Sequence, residues 1–354
     1  MSSAERVGRA GHGQLIGTAI TLALLGARDK GHLAVPLRQR FTLGTLRLEL
    51  IPSGRGFGAA ALHVDITGKT VLYAGAVRTS AGGVGDAAEL RTCDAVVVSA
   101  PFGEPRHRFP ALTTAIDATI EWTRDQLARD RRPVLFVDTP LDGLEVASRL
   151  AAEGVALAAG RTLREAAQRI ADLVPAAQII DGAVAIGHTI APRAIGREPR
   201  AAARPADAAT AKLARGSNSR LNDLRPGAAT DAGLPALVAG SGIPALVAPG
   251  REPRAIIWLD ADRAGLLKAV GDRPFATALV SGRALHGHAG YDAGFVWASA
   301  ADRAQLLGWI EATGARDVFV TGACAEAIGA AVGGRARVIG PPQQMSLFPG
   351  EAFS

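Results

Sequence analysis

Four short apolar runs fall in the first hundred residues, at 46–51, 60–66, 70–73 and 95–98, and glycine-bearing turns separate them. This pattern predicts β-hairpins feeding a sheet. After Ala111 the pattern changes. Residues 113–128 have helical periodicity, 133–137 read as a buried strand, and 144–153 and 162–173 as helices, so this stretch is expected to be α/β. Strand and helix signals return at 255–259, 275–280, 294–297, 304–313 and 318–321.

Between these blocks, residues 187–232 are rich in Ala, Arg, Pro and Gly and lack apolar periodicity, which reads as a loop or linker insertion. Its arginines either track a phosphate backbone or solvate a tether, and the sequence leaves both readings open. With 354 residues and 48% hydrophobic content the chain can bury a sizeable core, and disorder as a whole is excluded. The net charge of +6 and pI near 10.0 come mostly from arginine, so nucleic acid is an expected partner. Cys93 and Cys324 are the only cysteines, too few for a disulfide framework or a thiolate metal site, and a reducing cytoplasm fits.

Arg6 and Arg9 precede an apolar run at 15–27, as the first parts of a secretory signal would. The run is too short to cross a bilayer as a helix and no clear A-x-A site follows. Its small residues suit a helix packed on a sheet, and no other segment is a membrane-span candidate.

Six short stretches carry a more specific resemblance: AGHGQL at 10–15, PSGRGFGAA at 52–60, GAV at 75–77, SAPFG at 99–103, ASAAD at 298–302 and TGA at 321–323. Their order and spacing resemble the metallo-β-lactamase/β-CASP nucleases, most of all the bacterial ligase-associated DNA exonucleases, also described as mRNA 3′-end processing factor-like proteins. That family carries HxHxDH, PAGH, GDY, EATFG, SDHAD and THG at the corresponding places. The resemblance implies an α/β fold, a metallo-β-lactamase αββα sandwich with an inserted β-CASP-like domain. It sets the expected boundaries at 1–110 for the first part of the sandwich, 111–289 for the inserted domain and 290–340 for the second part. A disordered tail is expected at 341–354.

The family's chemistry needs imidazoles and carboxylates converging on two zinc ions, so that a bridging water becomes hydroxide. Here the scaffold residues match and the ligands mostly do not. The degenerate positions are Ala10, His12, Gln14 and Leu15 in the first motif, Arg55 and Ala76 in the next two, then Ser99, Ala300 and Gly322. One surviving imidazole cannot hold a zinc pair, so no metal cofactor is expected although the family uses zinc. Arg55 would repel a metal cation and attract phosphate. Arg55, Arg106, His107 and Arg108 are therefore the expected nucleic-acid contacts. Asp302 matches an acidic family position, yet it stands where it would cap a helix starting near Arg303. His286 and His288 form an H-x-H pair whose turn-like setting favours an exposed loop.

In the tail, Gln344, Met345, Ser346, Leu347 and Phe348 spell QMSLF, which is similar to the bacterial sliding-clamp-binding pentapeptide. A free extended tail could place Leu347 and Phe348 in an apolar pocket of the clamp β subunit while Gln344 hydrogen-bonds beside it. The expected function is a catalytically silent nuclease homologue that binds DNA in repair or replication, tethered to the clamp. RNA is the alternative ligand, and an active nuclease or a ligase or helicase the further partner. Two other readings stand beside it: an active exonuclease with a rearranged site using His12, His63 and His107, and a structural subunit that binds only proteins.

Overall fold

Tight hairpins start the fold. Strands β3 (Arg40–Leu43) and β4 (Leu46–Pro52) join through Gly44 at φ 60°, and β5 (Ala60–Ile66) joins β6 (Lys69–Gly75) through Thr67 and Gly68. Both residues of the second turn have positive φ, the twist that matches a two-residue hairpin. The chain then adds β7 (Ala95–Ser99) parallel to β6 and leaves this sheet.

Beyond β7 the chain makes an all-parallel excursion. Helix α2 (Leu112–Ala128), β8 (Arg132–Val137), α3 (Pro140–Ala152), β9 (Leu157–Ala159), α4 (Arg161–Ile170), β10 (Val184–Ala185), β11 (Ala255–Leu259), β12 (Phe275–Val280) and β13 (Ala293–Phe295) build a second sheet. Its order is β10-β9-β11-β8-β12-β13, and every described pair is parallel. Its central strands, PVLFV and AIIWL, are buried on both faces, which is why they read as continuous apolar runs. Because β13 pairs in register with β12, the excursion runs to Phe295, past the boundary at 289 expected from sequence.

The chain then returns through α5 (Arg303–Ala312), β14 (Asp317–Thr321), α6 (Ala325–Val332) and β15 (Ala336–Val338). β14 pairs with β7, giving a seven-stranded mixed sheet of order β15-β14-β7-β6-β5-β4-β3. Near the N-terminus, β1 (Ile16–Gly17) and β2 (Leu33–Ala34) form a small parallel pair around α1 (Ala19–Leu24). The helix expected at 15–27 thus shrinks to six residues, and Arg169 of α4 donates to Leu24 O at its end.

This computed structural model describes residues 14–28, 31–80, 82–174, 177, 184–185, 255–266, 270 and 274–340, all within the unit Met1–Gly187 with Pro244–Ser354. The basic insertion and the QMSLF tail lie outside the described residues, as do Ala10 and His12. No described helix is long and apolar enough to cross a membrane.

The two faces of the seven-stranded sheet differ. One is sealed by α5 and α6 over Ile51, Leu72, Val96, Val98, Val318 and Val320. The other carries Leu62, Val64, Val71, Tyr73, Val97 and Phe319, all only partly covered, with Arg337 resting over the Phe319 ring.

Candidate functional site

The loops that leave the seven-stranded sheet on the side of β4's C-terminus meet at one edge. Gly54, at φ 81°, follows β4 so closely against the next loop that a Cβ there would sit 2.0 Å from Arg78 O. This turn aims Arg55 across the edge, where its Nε donates to Ser299 O at 3.2 Å. Ala301 N donates to Val77 O at 2.6 Å, which draws segment 298–302 beside the loop bearing Ala76. Ala100 N donates to Thr321 O, and a Cβ on Gly322 would meet Ser99 Oγ and Ala100 O at 3.0 Å.

Arg55, Ala76, Ser99, Ala300 and Gly322, distant in sequence, therefore share one edge. Gln14 and Leu15 bond instead to the 31–32 turn, through Gly31 O and His32 Nδ1. Thr18 and Thr21 just beyond them tie this segment to Gly58 O. Among the described residues no group of three or more His, Cys, Asp or Glu is placed to hold a metal ion. The cavity beside Ala298 and Ala300 is about 10 Å³, room for one water at most.

Facing this edge are the C-terminal ends of β8 and β11 and the turn after β12, where a parallel sheet exposes loops for ligands. Asp138 accepts from Ser281 and from both Nε and Nη2 of Arg283, whose Nη2 also reaches Asp260 at 2.9 Å. Burial opposes it, but the Tyr291 hydroxyl and Arg283 hold the Asp260 carboxyl below the usual carboxylate range. Burial pushes the Asp142 carboxyl up, against the pull of the Thr139 hydroxyl and the nearby Arg55 guanidinium. These groups escaped the sequence reading, although polar residues placed directly after buried strands, as in FVDTP, are the signal that marks them.

Three expected nucleic-acid contacts beside the edge fare differently. His107 is only 3% exposed, and its Nδ1 accepts from Gly103 N and Glu104 N at 2.9 and 3.1 Å. Its Nε2 lies 3.0 Å from His286 Nε2, so His107 holds its proton on Nε2 and donates it across. Burial, with His286 next, lowers its pKa, and the ring is neutral rather than a phosphate-facing cation. Arg106 is exposed and paired with Glu104 at 2.7 Å. Arg108 is exposed with no ion-pair partner among the described residues.

The H-x-H pair splits, His286 turning to His107 and exposed His288 to Tyr291 O. Asp302 caps α5 through a full capping box with Gln305 and also accepts from Phe109 N at 3.0 Å. His63 lies apart from His107, opening into a cleft toward the other end of the sheet.

No family model matches the chain, and no curated protein matches it. Among solved structures, a crystal structure of a protein of unknown function from Enterococcus faecalis V583 superposes with a TM-score of 0.50 at 11% sequence identity. The match covers 93% of this chain and 74% of that one, and it shows a shared α/β fold.

Proposed function

We propose that the chain is a non-hydrolysing member of the metallo-β-lactamase/β-CASP nuclease group, its seven-stranded sheet one layer of the sandwich and the parallel excursion the inserted domain. It binds a DNA backbone at the loop edge, with RNA as the alternative polymer. It reaches sites of DNA synthesis through QMSLF, and a catalytic nuclease, ligase or helicase acts beside it in the cytoplasm. One observation carries this reading: Arg55 occupies the edge where the family's motif loops would converge, and its terminal nitrogens have no hydrogen bond among the described residues. A guanidinium so placed offers a planar fork to a phosphate and repels a metal cation. Exposed Arg108 extends the positive surface.

The test is binding of a labelled oligonucleotide across a salt series, with Arg55→Gln alongside. Binding that falls steeply with salt, is weakened in the variant and is unaccompanied by cleavage with added zinc or manganese supports the reading. Metal-dependent cleavage supports an active, rearranged exonuclease instead.

A second reading, a subunit that binds only proteins, is favoured by the partly covered face around Leu62, Tyr73 and Val97. Salt-insensitive absence of nucleic-acid binding supports that one.

A further inference from the structure

A cleft of about 640 Å³ opens on the helix-covered face of the seven-stranded sheet, at the end away from Arg55. It exists because the cover runs out there. On this face β4 reads Ile51, Glu49, Arg47 and β5 reads Ala61, His63, Asp65, apolar at the loop edge and charged at the far end. Helix α5 stops at Ala312, and Thr313 and Gly314 form the cleft's rim.

The hydrogen bonding of this lining has a sign. Its carboxylates are engaged: Glu49, 6% exposed, accepts from Arg40 Nε at 3.2 Å and Arg91 Nη2 at 2.9 Å. Asp65 accepts from Gly68 N, and Asp94 accepts from both the backbone and the hydroxyl of Thr70. Arg47 and His63, diagonal neighbours on paired strands, have no hydrogen-bond or ion-pair partner among the described residues. Arg40 uses only its Nε and its side chain is 80% exposed. Apart from the second oxygen of Asp65, what remains open among these side chains is donor capacity, most of it cationic.

We propose that this cleft binds a small molecule carrying an oxyanion, held by Arg47, Arg40 and His63. Its volume lies within the range of small-molecule sites, roughly 300–1,000 Å³, and Cys93 adds an apolar patch to its lining. A phosphate or a carboxylate would satisfy the same donors. The guanidinium fork of Arg47 matches either. The site is independent of the nucleic-acid edge and stands whether or not that reading holds.

The experiment is calorimetric titration of the full chain at fixed ionic strength with adenosine 5′-monophosphate, citrate and uncharged adenosine. Binding of the monophosphate, of citrate, or of both, without adenosine binding, is the expected result and identifies the oxyanion class. Arg47→Gln is expected to weaken that binding about tenfold or more, and His63→Gln to weaken it less. Arg129→Gln, which removes the same charge from the exposed end of α2, is expected to leave it unchanged. Each variant's far-ultraviolet circular dichroism establishes that it folds. The proposal is overturned if adenosine binds as well as its monophosphate, if Arg129→Gln weakens binding as much as Arg47→Gln, or if neither anion binds at about 10 mM.

Discussion

One terminal nitrogen of Arg78 donates to both carboxylate oxygens of Glu145, at 3.0 and 2.8 Å, and the two side chains are 2% and 1% exposed. Arg78 follows β6 of the seven-stranded sheet and Glu145 lies on α3 of the parallel excursion, so the pair fastens one sheet to the other's helix. Its geometry is incomplete, because Arg78 Nε is buried without a partner. Removing either member strands a buried charge. Glu145→Ala is expected to cost about 3–5 kcal/mol in urea unfolding, and an Arg78→Met/Glu145→Met double variant to recover most of that loss. A loss well under 1 kcal/mol in the single variant would show that water reaches the pair.

Backbone space beside the same arginine gives a second prediction. A methyl on Gly54 would lie 2.0 Å from Arg78 O at a φ of 81°, whereas Gly68, at φ 87°, has nothing within 4 Å of its added Cβ. Gly68→Ala is expected to cost about 1 kcal/mol, the price of the left-handed conformation alone. Gly54→Ala is expected to cost several times that and to disturb Arg55. Equal melting shifts for the two variants would contradict the close approach.

Leu72 and Tyr73 are neighbours on β6 that face opposite ways, 0% and 58% exposed. Leu72→Ala is expected to destabilise by about 2–5 kcal/mol through the cavity it leaves under α5. Tyr73→Ser is expected to cost under about 1 kcal/mol while lowering the fluorescence of a bound apolar dye, since it breaks up the partly covered patch. An unchanged dye signal would place that binding elsewhere.

Asp94 and Asp292 make the same box in the two sheets. Each accepts from the backbone N–H and hydroxyl of a threonine, Thr70 or Thr277, and returns a bond from its own N–H to that hydroxyl. The backbone bond, then the hydroxyl for Asp94, holds that carboxyl below its ordinary value, and the Asp292 carboxyl is likewise depressed by the backbone bond to Thr277. A depressed folded-state pKa means stability that is fully present above the ordinary carboxylate value, about pH 4, and is lost as pH falls through the folded value. Asp94→Asn/Asp292→Asn is therefore expected to flatten the acid limb of the unfolding curve below about pH 4. Stability profiles that stay parallel to the parent's there would rule these boxes out as acid-sensitive elements.

Local order was legible where local chemistry decides it. The strands at 60–66, 255–259 and 275–280 and the Asp302 cap follow from residue type and spacing alone. Helix α3 starts four residues earlier than its apolar periodicity predicts, because Thr139 caps it and Pro140 fits its first turn. The site was less legible because its partners lie far along the chain. Arg55 could be placed in a glycine-rich turn, but its bond to Ser299 spans 244 positions. The neutrality of His107 depends on burial against His286, 179 positions away, and an R-H-R string carries no sign of that.

The return of β14 to β7 also sets an order of assembly. The Thr321 hydroxyl reaches Val98 O across 223 positions, whereas Ile66 and Lys69 close the β5–β6 hairpin through a two-residue turn and the pairing of Phe275 with Arg132 in the parallel sheet spans 143. Long-range pairing is slow because the loop between must be closed before any contact rewards it. During synthesis the hairpins therefore wait with an open edge at β7 until almost the whole chain has emerged. The edge that holds Arg55 against Ser299 is then among the last parts of the molecule to form.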